Sequence, residues 1–173
     1  MIVVSSTRVY GESAGERVDD DTCPQPSDAQ GQVLLNMETL WQQAYPSECV
    51  IVRPTGIYGT SVTRMIKLTE TTKSYPKLHW SNRIHIDDLV AFLAHLLHVE
   101  HTEKSYICSN SQPLPLHEII QWFQQQLGLP TLVLESDVPS GKQIYATRMQ
   151  QMNFELQHSH CFDDYLALLE ERE

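Results

Sequence analysis

Two short stretches of the chain carry side chains of the kinds that bind metal ions. His85, Asp87 and Asp88 form an H-x-D-D pattern, and residues 158–161 read H-S-H-C. A zinc site needs three or four converging ligands, and no second cluster complements the H-S-H-C stretch. Asp87 or Asp88 is better placed to cap the N-terminus of a following helix. The sequence therefore predicts helix capping here and no metal site.

Short apolar runs alternate with helical patterns along the chain. The runs are typical of buried strands and lie at residues 1–4, 49–52, 83–86, 106–108 and 132–134. Helical spacing covers about 28–45, 63–72, 88–97, 115–127 and 162–169. The polar stretch from Gly11 to Ala29 is predicted to be a long loop. Strands alternating with helices indicate an α/β fold with a mainly parallel sheet.

The apolar spacing also predicts which helix faces are buried. In the first helix the residues that share one face are Val33, Met37, Leu40, Trp41 and Ala44. In the helix after Asp88 they are Leu89, Val90, Leu93, Leu96 and Leu97. Each stripe is expected to face the core.

Composition excludes several classes of function. The chain has 173 residues and a net charge of −10, and no cluster of Lys and Arg that would bind nucleic-acid phosphates. No apolar run approaches the ~20 residues that cross a bilayer, and residues 1–4 are too short for a signal peptide. Cysteines 23, 49, 108 and 161 are scattered, as expected of free thiols. We expect a cytoplasmic protein with no nucleic-acid or membrane partner.

Four segments, in order, carry a resemblance to a known family. They read SSTRVYG at 5–11, VIVRPTGIYG at 50–59, RIHIDDL at 83–89, and YICS at 106–109 followed by PLHE at 115–118. Together they resemble the extended short-chain dehydrogenase/reductase family, nearest to its atypical epimerase/dehydratase-like members. The resemblance implies a Rossmann-like sheet with covering helices. It places this sequence at the strand that would be fifth, so that it corresponds to the C-terminal portion of the family fold.

The resemblance also locates the family's catalytic positions. The serine that binds the substrate oxygen falls on Ser6. Aligning Gly31 and Glu38 with the family helix puts the catalytic tyrosine at Gln30 and the lysine at Leu34. An amide does not exchange protons at neutral pH, and leucine supplies no cation to lower a phenol pKa. We expect the proton-transfer pair to be lost.

The cofactor implied by the resemblance is NAD or NADP. Its nicotinamide end would lie beside five residues, which are Ser5, Pro54, Thr55, Gly56 and Ile57. The seven glycines of the chain form no G-x-x-G-x-x-G phosphate loop, so NAD(P) is expected only if the missing N-terminal half is present.

A nucleotide sugar or another small molecule is the implied substrate, with Thr7, Tyr10 and Arg83 as candidate contacts. Tyr10 fits a substrate loop or the core equally well. Many family members have a pyrophosphate-binding arginine at the position of Ser81. Alternate residues of an extended segment point the same way, so Arg83 is either its substitute or a solvated strand-end residue.

The chain is predicted to be one partial Rossmann-like domain, with substrate-domain-like parts interleaved at about 60–80 and 110–173. Three hypotheses remain open. The first is an epimerase- or reductase-derived domain that needs its missing half, and the second is a non-catalytic module that senses nucleotide sugars or dinucleotides. The third is a truncated gene product. The bare apolar strand at Met1–Val4 favours a homodimer or self-association.

Overall fold

The computed structural model describes residues 1–171. Within that range eleven strands and six α-helices alternate along the chain. The strands are β1 Ile2–Val4, β2 Ala14–Val18, β3 Val50–Pro54, β4 Gly56–Tyr58, β5 Ser74–Tyr75, β6 Leu78–Ser81, β7 Arg83–His85, β8 Ser105–Cys108, β9 Leu114–Pro115, β10 Val133–Leu134 and β11 Pro139–Ile144. The helices are α1 Ala29–Ala44, α2 Thr63–Thr71, α3 Ile86–Leu96, α4 Leu116–Gln126, α5 Thr147–Gln151 and α6 Cys161–Glu170. The predicted α/β class is confirmed.

A three-stranded parallel sheet forms the centre, in the order β1-β3-β8. Every residue of β3 is buried because strands cover both of its edges and its apolar side chains point to both faces. β1 was expected to be buried on both faces, and this was wrong. It borders β3 on one edge, Ile2 and Val3 are half-buried, and Val4 is 48% exposed.

Smaller sheets surround this centre. β4 pairs with β7, β5 pairs with β10, and a four-stranded sheet has the order β2-β11-β6-β9. All of these pairings are parallel except β6 with β9. The expected loop from Gly11 to Ala29 therefore contains a strand. β2 was missed because its sequence, AGERV, has little apolar alternation and is held by pairing with distant β11.

Two hydrophobic clusters hold these elements together. The larger packs α3 and α5 onto the central sheet, with Phe92, Ile107 and Met149 fully buried. The smaller joins α2, α4 and α6 and contains Ile66 and Phe123. The second cluster draws on both predicted substrate-domain-like ranges, while the division into domains stays a prediction.

Helix α1 turns a different face to the core from the one predicted. Asp28 caps it by accepting a hydrogen bond from the Gly31 N–H, and the buried residues are Gly31 and Glu38. Leu34 and Leu35 pack against the larger cluster. Most of the predicted stripe is exposed, including Val33 at 67%, Leu40 at 66% and Trp41 at 40%, while Met37 is half-buried. An ion pair at Glu38 fixes the orientation, which apolar spacing does not reveal.

Helix α3 follows its predicted stripe only in part. Leu89 and Leu96 are buried as expected, whereas Val90 and Leu97 are 57% and 70% exposed and Phe92 is fully buried. The expected aspartate cap was also wrong, because His85 is the N-cap and its Nδ1 accepts from the Asp87 N–H at 3.2 Å. Among the described helices, none has the length and apolar character needed to cross a membrane.

Candidate functional site

A cavity of about 290 Å³ opens where β4, β7, α2 and α6 meet. It is lined by Gly56 and Ile57 from β4, Arg64 from α2, Arg83 from β7 and Tyr165 from α6. The parallel pairing of β4 with β7 places Gly56 opposite Arg83 and brings two predicted groups of site residues to one wall. The cavity therefore joins candidate cofactor residues and a candidate substrate residue.

A larger cavity of about 590 Å³ lies between α2, α4 and α6. Its lining includes Glu70 and Glu170 among apolar residues, and it contains none of the predicted site residues. The lining described for this cavity has two carboxylates and no cation, which does not favour a phosphate-bearing ligand. We therefore place the candidate site in the smaller cavity.

The Arg83 guanidinium is buried and held by neutral groups. Its Nε donates to Tyr165 Oη at 2.8 Å and its Nη1 donates to Ser81 Oγ at 2.7 Å, while the residue is only 8% exposed. Ser81 and Arg83 point the same way, as predicted for alternate residues of an extended segment. Within residues 1–171, no carboxylate oxygen lies within 4.0 Å of this guanidinium. Its charge is available to an anion in the cavity.

Arg53, at the end of β3, is held in a different way. Its Nη2 and Nε contact Glu38 at 2.7 and 3.1 Å, and its Nη1 donates to Tyr10 Oη at 2.8 Å. Burial raises the pKa of Tyr10 even though the guanidinium lowers it. Tyr10 is 1% exposed and contributes to the core, and a substrate contact by this residue stays a prediction.

Three residues with hydroxyl groups follow β1, and their hydroxyls make different contacts. Ser6 Oγ accepts from the Arg8 N–H at 3.2 Å and caps a 3-10 helix at Thr7–Val9. Thr7 is buried and its Oγ1 donates to the Pro54 carbonyl at 3.4 Å. Ser5 Oγ is buried and has no hydrogen-bond partner within the described chain. Of these three hydroxyls, that of Ser5 is the buried one without a hydrogen-bond partner in the described chain.

The segment predicted to lie beside the cofactor passes from the core to the surface. Pro54 and Thr55 are buried, and Thr55 Oγ1 donates to the Cys108 carbonyl at 3.4 Å. Gly56 is exposed, yet a Cβ there would lie 2.9 Å from the Asn82 carbonyl. Ile57 is 52% exposed. Gly56 and Ile57 are therefore the accessible part of this segment.

Gln30 and Leu34 occupy the first turns of α1, where the family pair was located. Gln30 is exposed, and Leu34 packs against the larger hydrophobic cluster. A lysine does meet a tyrosine close to this region, because Lys142 Nζ donates to the backbone carbonyl of Tyr10. The Tyr10 phenol points instead to Arg53, so this contact does not create a proton-transfer pair.

The possible metal ligands are arranged differently from the sequence interpretation. His158 lies beside His85 and Asp87. The fold therefore brings further potential ligands to the H-S-H-C stretch, which the sequence did not indicate. Asp88 accepts the N–H groups of Gln157 and His158 at 2.8 and 3.0 Å and anchors that segment. Cys161 is buried in the smaller hydrophobic cluster. The interpretation that no second cluster complements the H-S-H-C stretch was wrong, while the absence of a metal site stays a prediction.

Sequence reasoning missed several residues of the site. Arg64 and Tyr165 line the cavity, and Tyr58 Oη donates to Asp164 Oδ2 at 2.6 Å beside it. Burial and the Asp164 carboxylate raise the Tyr58 pKa. Arg64 lies on the polar helix α2, which follows the strand β4 and a short loop. Its place after that predicted strand and loop could have suggested it from the sequence. Tyr165 and Asp164 come from the far end of the chain and carried no spacing signal.

Comparison with solved structures identifies the fold. The chain is 33% identical to a structure named as an NAD-dependent epimerase/dehydratase from Methylobacillus flagellatus, over 99% of this chain and 64% of that one, with a TM-score of 0.85. A conserved protein of unknown function from Silicibacter pomeroyi matches at 20% identity over 98% and 66%, with a TM-score of 0.77. The dTDP-glucose 4,6-dehydratase of Bacillus anthracis, in complex with NAD, matches at 16% over 99% and 62%, with a TM-score of 0.76.

The chain spans a little under two-thirds of the length of each of these structures. No protein-family model matches the chain, and no curated protein matches it. The structural matches confirm the resemblance found in the sequence motifs.

Proposed function

Since this chain has an epimerase/dehydratase-like fold, we propose that it forms the substrate-binding part of an NAD(P)-dependent epimerase, dehydratase or reductase. Its ligand is a nucleotide sugar or a related diphosphate, bound in the cavity at Arg83. The chain by itself lacks the tyrosine and lysine that transfer protons in that chemistry. Without them, it binds its ligand but does not turn it over.

The observation that carries this proposal is the Arg83 guanidinium. A buried charge is costly unless it is paired, and the hydroxyls of Ser81 and Tyr165 do not neutralise it. Arg64 lines the same cavity and adds a second positive charge. Guanidinium groups bind phosphate oxygens through charge-assisted hydrogen bonds, often two at a time. Two arginines on one cavity support a diphosphate ligand.

The residues present also fit one end of a dinucleotide cofactor. The Ser5 hydroxyl is buried without a partner in the described chain, and Gly56 and Ile57 are exposed in β4, which follows the strand that pairs with β1. When bound, NAD(P) would supply the hydride acceptor or donor. Ser5 would donate a hydrogen bond to it, and Ile57 would shield it from water. The sequence has no glycine-rich loop for the pyrophosphate, so these contacts alone support weak binding.

Calorimetry with UDP, UDP-glucose and inorganic phosphate tests the diphosphate site. We expect UDP-glucose and UDP to bind and phosphate to bind more weakly, because it engages fewer donors. Replacing Arg83 with Met removes charged hydrogen bonds worth ~1.5–3 kcal/mol, so affinity should fall roughly 10- to 100-fold.

Arg17→Met is the matched control. Arg17 lies over the Tyr145 ring at 4.0 Å on the four-stranded sheet, and it does not line the cavity. Its removal should leave UDP affinity unchanged. The proposal is rejected if neither nucleotide binds, or if Arg83→Met binds UDP as well as the unaltered protein does.

A second function, a non-catalytic sensing module, is favoured by Gln30 and Leu34 at the dyad positions. Both functions require ligand binding, and neither predicts turnover by this chain alone, so they are separated by testing the chain joined to an N-terminal cofactor-binding half of the family. An assay of NAD(P)H absorbance with UDP-glucose on that longer protein should show no reaction if the chain is a sensing module. A measurable rate would exclude the sensing module and would place proton transfer on residues other than these two.

We also propose self-association through β1 and a cytoplasmic location. β1 leaves one edge without a partner strand in the described chain, and Met1 and Val4 are about half exposed. Val4→Lys should shift light scattering towards a monomer, while Val138→Lys, at another exposed valine, should not.

The proposed cytoplasmic location is supported by the cysteines described, which are free, as expected in a reducing compartment. Cell fractionation would test that location.

A further inference from the structure

Three potential metal ligands converge where β7 meets α3. They are His85 from the end of β7, Asp87 from the first turn of α3, and His158 from the segment before α6. One ligand atom from each lies within 4.8 Å of the other two. Asp87 Oδ2 is the meeting point, at 3.7 Å from His85 Nδ1 and 3.9 Å from His158 Nε2.

These separations are close to those of a tetrahedral zinc site. Zinc binds histidine nitrogen and carboxylate oxygen at about 2.0–2.2 Å, which puts neighbouring ligand atoms about 3.4 Å apart. The two measured separations exceed that value by about half an ångström or less. Asp87 therefore needs only a small rotation to lie between the two nitrogens, whereas His85 Nδ1 must also release the Asp87 N–H that it accepts.

His158 is oriented in the way that metal-bound histidines usually are. Its Nδ1 lies 2.6 Å from Asp164 Oδ1, and the carboxylate is in turn held by Tyr58 Oη at 2.6 Å. Because a carboxylate only accepts hydrogen bonds, Nδ1 carries the proton and Nε2 of the neutral ring keeps its lone pair. A carboxylate behind a ligating histidine fixes the tautomer and strengthens the ligand.

The three side chains differ in how far they are exposed to solvent. The His85 side chain is 8% exposed, that of His158 is 25% exposed, and that of Asp87 is 70% exposed, so an ion can enter from the Asp87 side. The two imidazoles are stacked, with centroids 3.6 Å apart and planes 15° from parallel. Ligand lone pairs lie in the ring planes, so shared binding requires one ring to turn and the stack to open.

We propose that His85, Asp87 and His158 bind a divalent transition-metal ion of the zinc class, with water completing the coordination. Two imidazoles and one carboxylate suit zinc better than calcium or magnesium, which prefer oxygen ligands. The ion ties the segment before α6 to the β7–α3 junction. Asp164 is a positioning residue, because it acts through His158 and does not contact the ion.

The test is calorimetric titration of the tag-free protein with Zn²⁺, together with Co²⁺ absorption spectra. One equivalent of zinc should bind, and His158→Gln should weaken it by at least ~100-fold, more than loss of an outer partner does. His160→Gln is the matched control, because this exposed histidine lies two residues away and outside the cluster. Cys23→Ser is a second control, since Cys23 is an exposed thiol that could bind zinc elsewhere.

Two further variants keep the proposal falsifiable if His158→Gln folds poorly. Asp87→Asn changes an exposed side chain and should also abolish tight binding. Asp164→Asn should weaken zinc by ~10- to 100-fold without changing the stoichiometry. Absence of zinc binding would overturn the proposal, as would binding that survives Asp87→Asn and His158→Gln, or that falls equally in His160→Gln.

Discussion

Arg53 and Arg83 are both buried arginines at the ends of parallel strands, yet their surroundings differ. Arg53 is 7% exposed and its charge is matched by Glu38, with Tyr10 taking a further hydrogen bond. Arg83 is 8% exposed and is held by the hydroxyls of Ser81 and Tyr165. Burial alone therefore does not distinguish a structural arginine from a ligand-binding one.

The partner set does distinguish them. A guanidinium that is paired with a buried carboxylate stabilises the fold as a unit, and removing either member leaves an uncompensated charge. A guanidinium that is held by neutral hydroxyls at a cavity is oriented without being neutralised. The first kind is Arg53, paired with Glu38 on the helix that also carries Gln30 and Leu34, and the second is Arg83, which lines the candidate cavity.

The largest effect should come from breaking the Arg53 pair. Glu38→Gln keeps the side-chain shape but leaves Arg53 buried without its counter-charge, so the free energy of unfolding should fall by ~3–5 kcal/mol. Urea denaturation measures it. Glu48→Gln, at an exposed glutamate, should change stability by less than about 0.5 kcal/mol. If both variants lost the same free energy of unfolding, the Arg53–Glu38 ion pair would contribute no more to stability than an exposed glutamate does.

Arg83 should behave in the opposite way. Replacing it with Met removes a buried charge that no carboxylate among residues 1–171 matches, so stability should stay within about 1 kcal/mol of the unaltered protein or rise. Arg53→Met should instead lose ~3–5 kcal/mol because Glu38 is stranded. Thermal unfolding of both variants tests this pair. If Arg83→Met were the more destabilised protein, the distinction between the two arginines would be wrong.

The two phenols that contact these arginines give a smaller and sharper contrast. Tyr10→Phe removes a hydrogen bond to a charged group and should lower stability by ~1.5–3 kcal/mol, while UDP affinity stays unchanged because this hydroxyl lies in the core. Tyr165→Phe leaves the Nε of Arg83 without its hydroxyl partner at the cavity. The free energy of UDP binding should change by an amount similar to that stability change. Calorimetry and urea denaturation on both variants would separate the roles. A change in UDP affinity in Tyr10→Phe would contradict the assignment.

The smallest effect is on the alkaline side of the stability curve. Burial raises the pKa of Tyr10 and of Tyr165 above the ordinary value of 10.0. The unfolded chain then loses these protons before the folded chain does, so their stabilisation is present below pH 10 and is lost as pH rises further. Burial raises the pKa of Cys108 to about 12, so this thiol contributes to the pH dependence of stability in the same direction. Urea denaturation across pH 10 should show a shallower decline in either Tyr→Phe variant.

Much of the fold could be predicted from the sequence. The apolar runs gave β1, β3, β7, β8 and β10, and the helical spacing gave α1 to α4 and α6 within a few residues. Strands such as β2 and β11 were missed because polar segments of this kind become strands through pairing with each other. Local sequence does not contain that information.

The site was predicted less completely. The sequence pointed to Arg83, and to Gln30 and Leu34 where a tyrosine and a lysine would be needed. It gave no sign of Tyr165 on the same cavity or of His158 beside His85, and Arg64 was not singled out. These residues are far apart in the chain, and a spacing argument applies only within one element.

The sequence by itself determined the alternation of strands and helices, the order of the four motifs, and the side chains at positions 30 and 34, because each depends on residue types and local spacing. Only the tertiary structure decided which face of α1 is buried and which buried arginine has a carboxylate partner. Apolar periodicity identifies a stripe without saying what covers it. The charge balance around a guanidinium depends on residues that folding alone brings within reach.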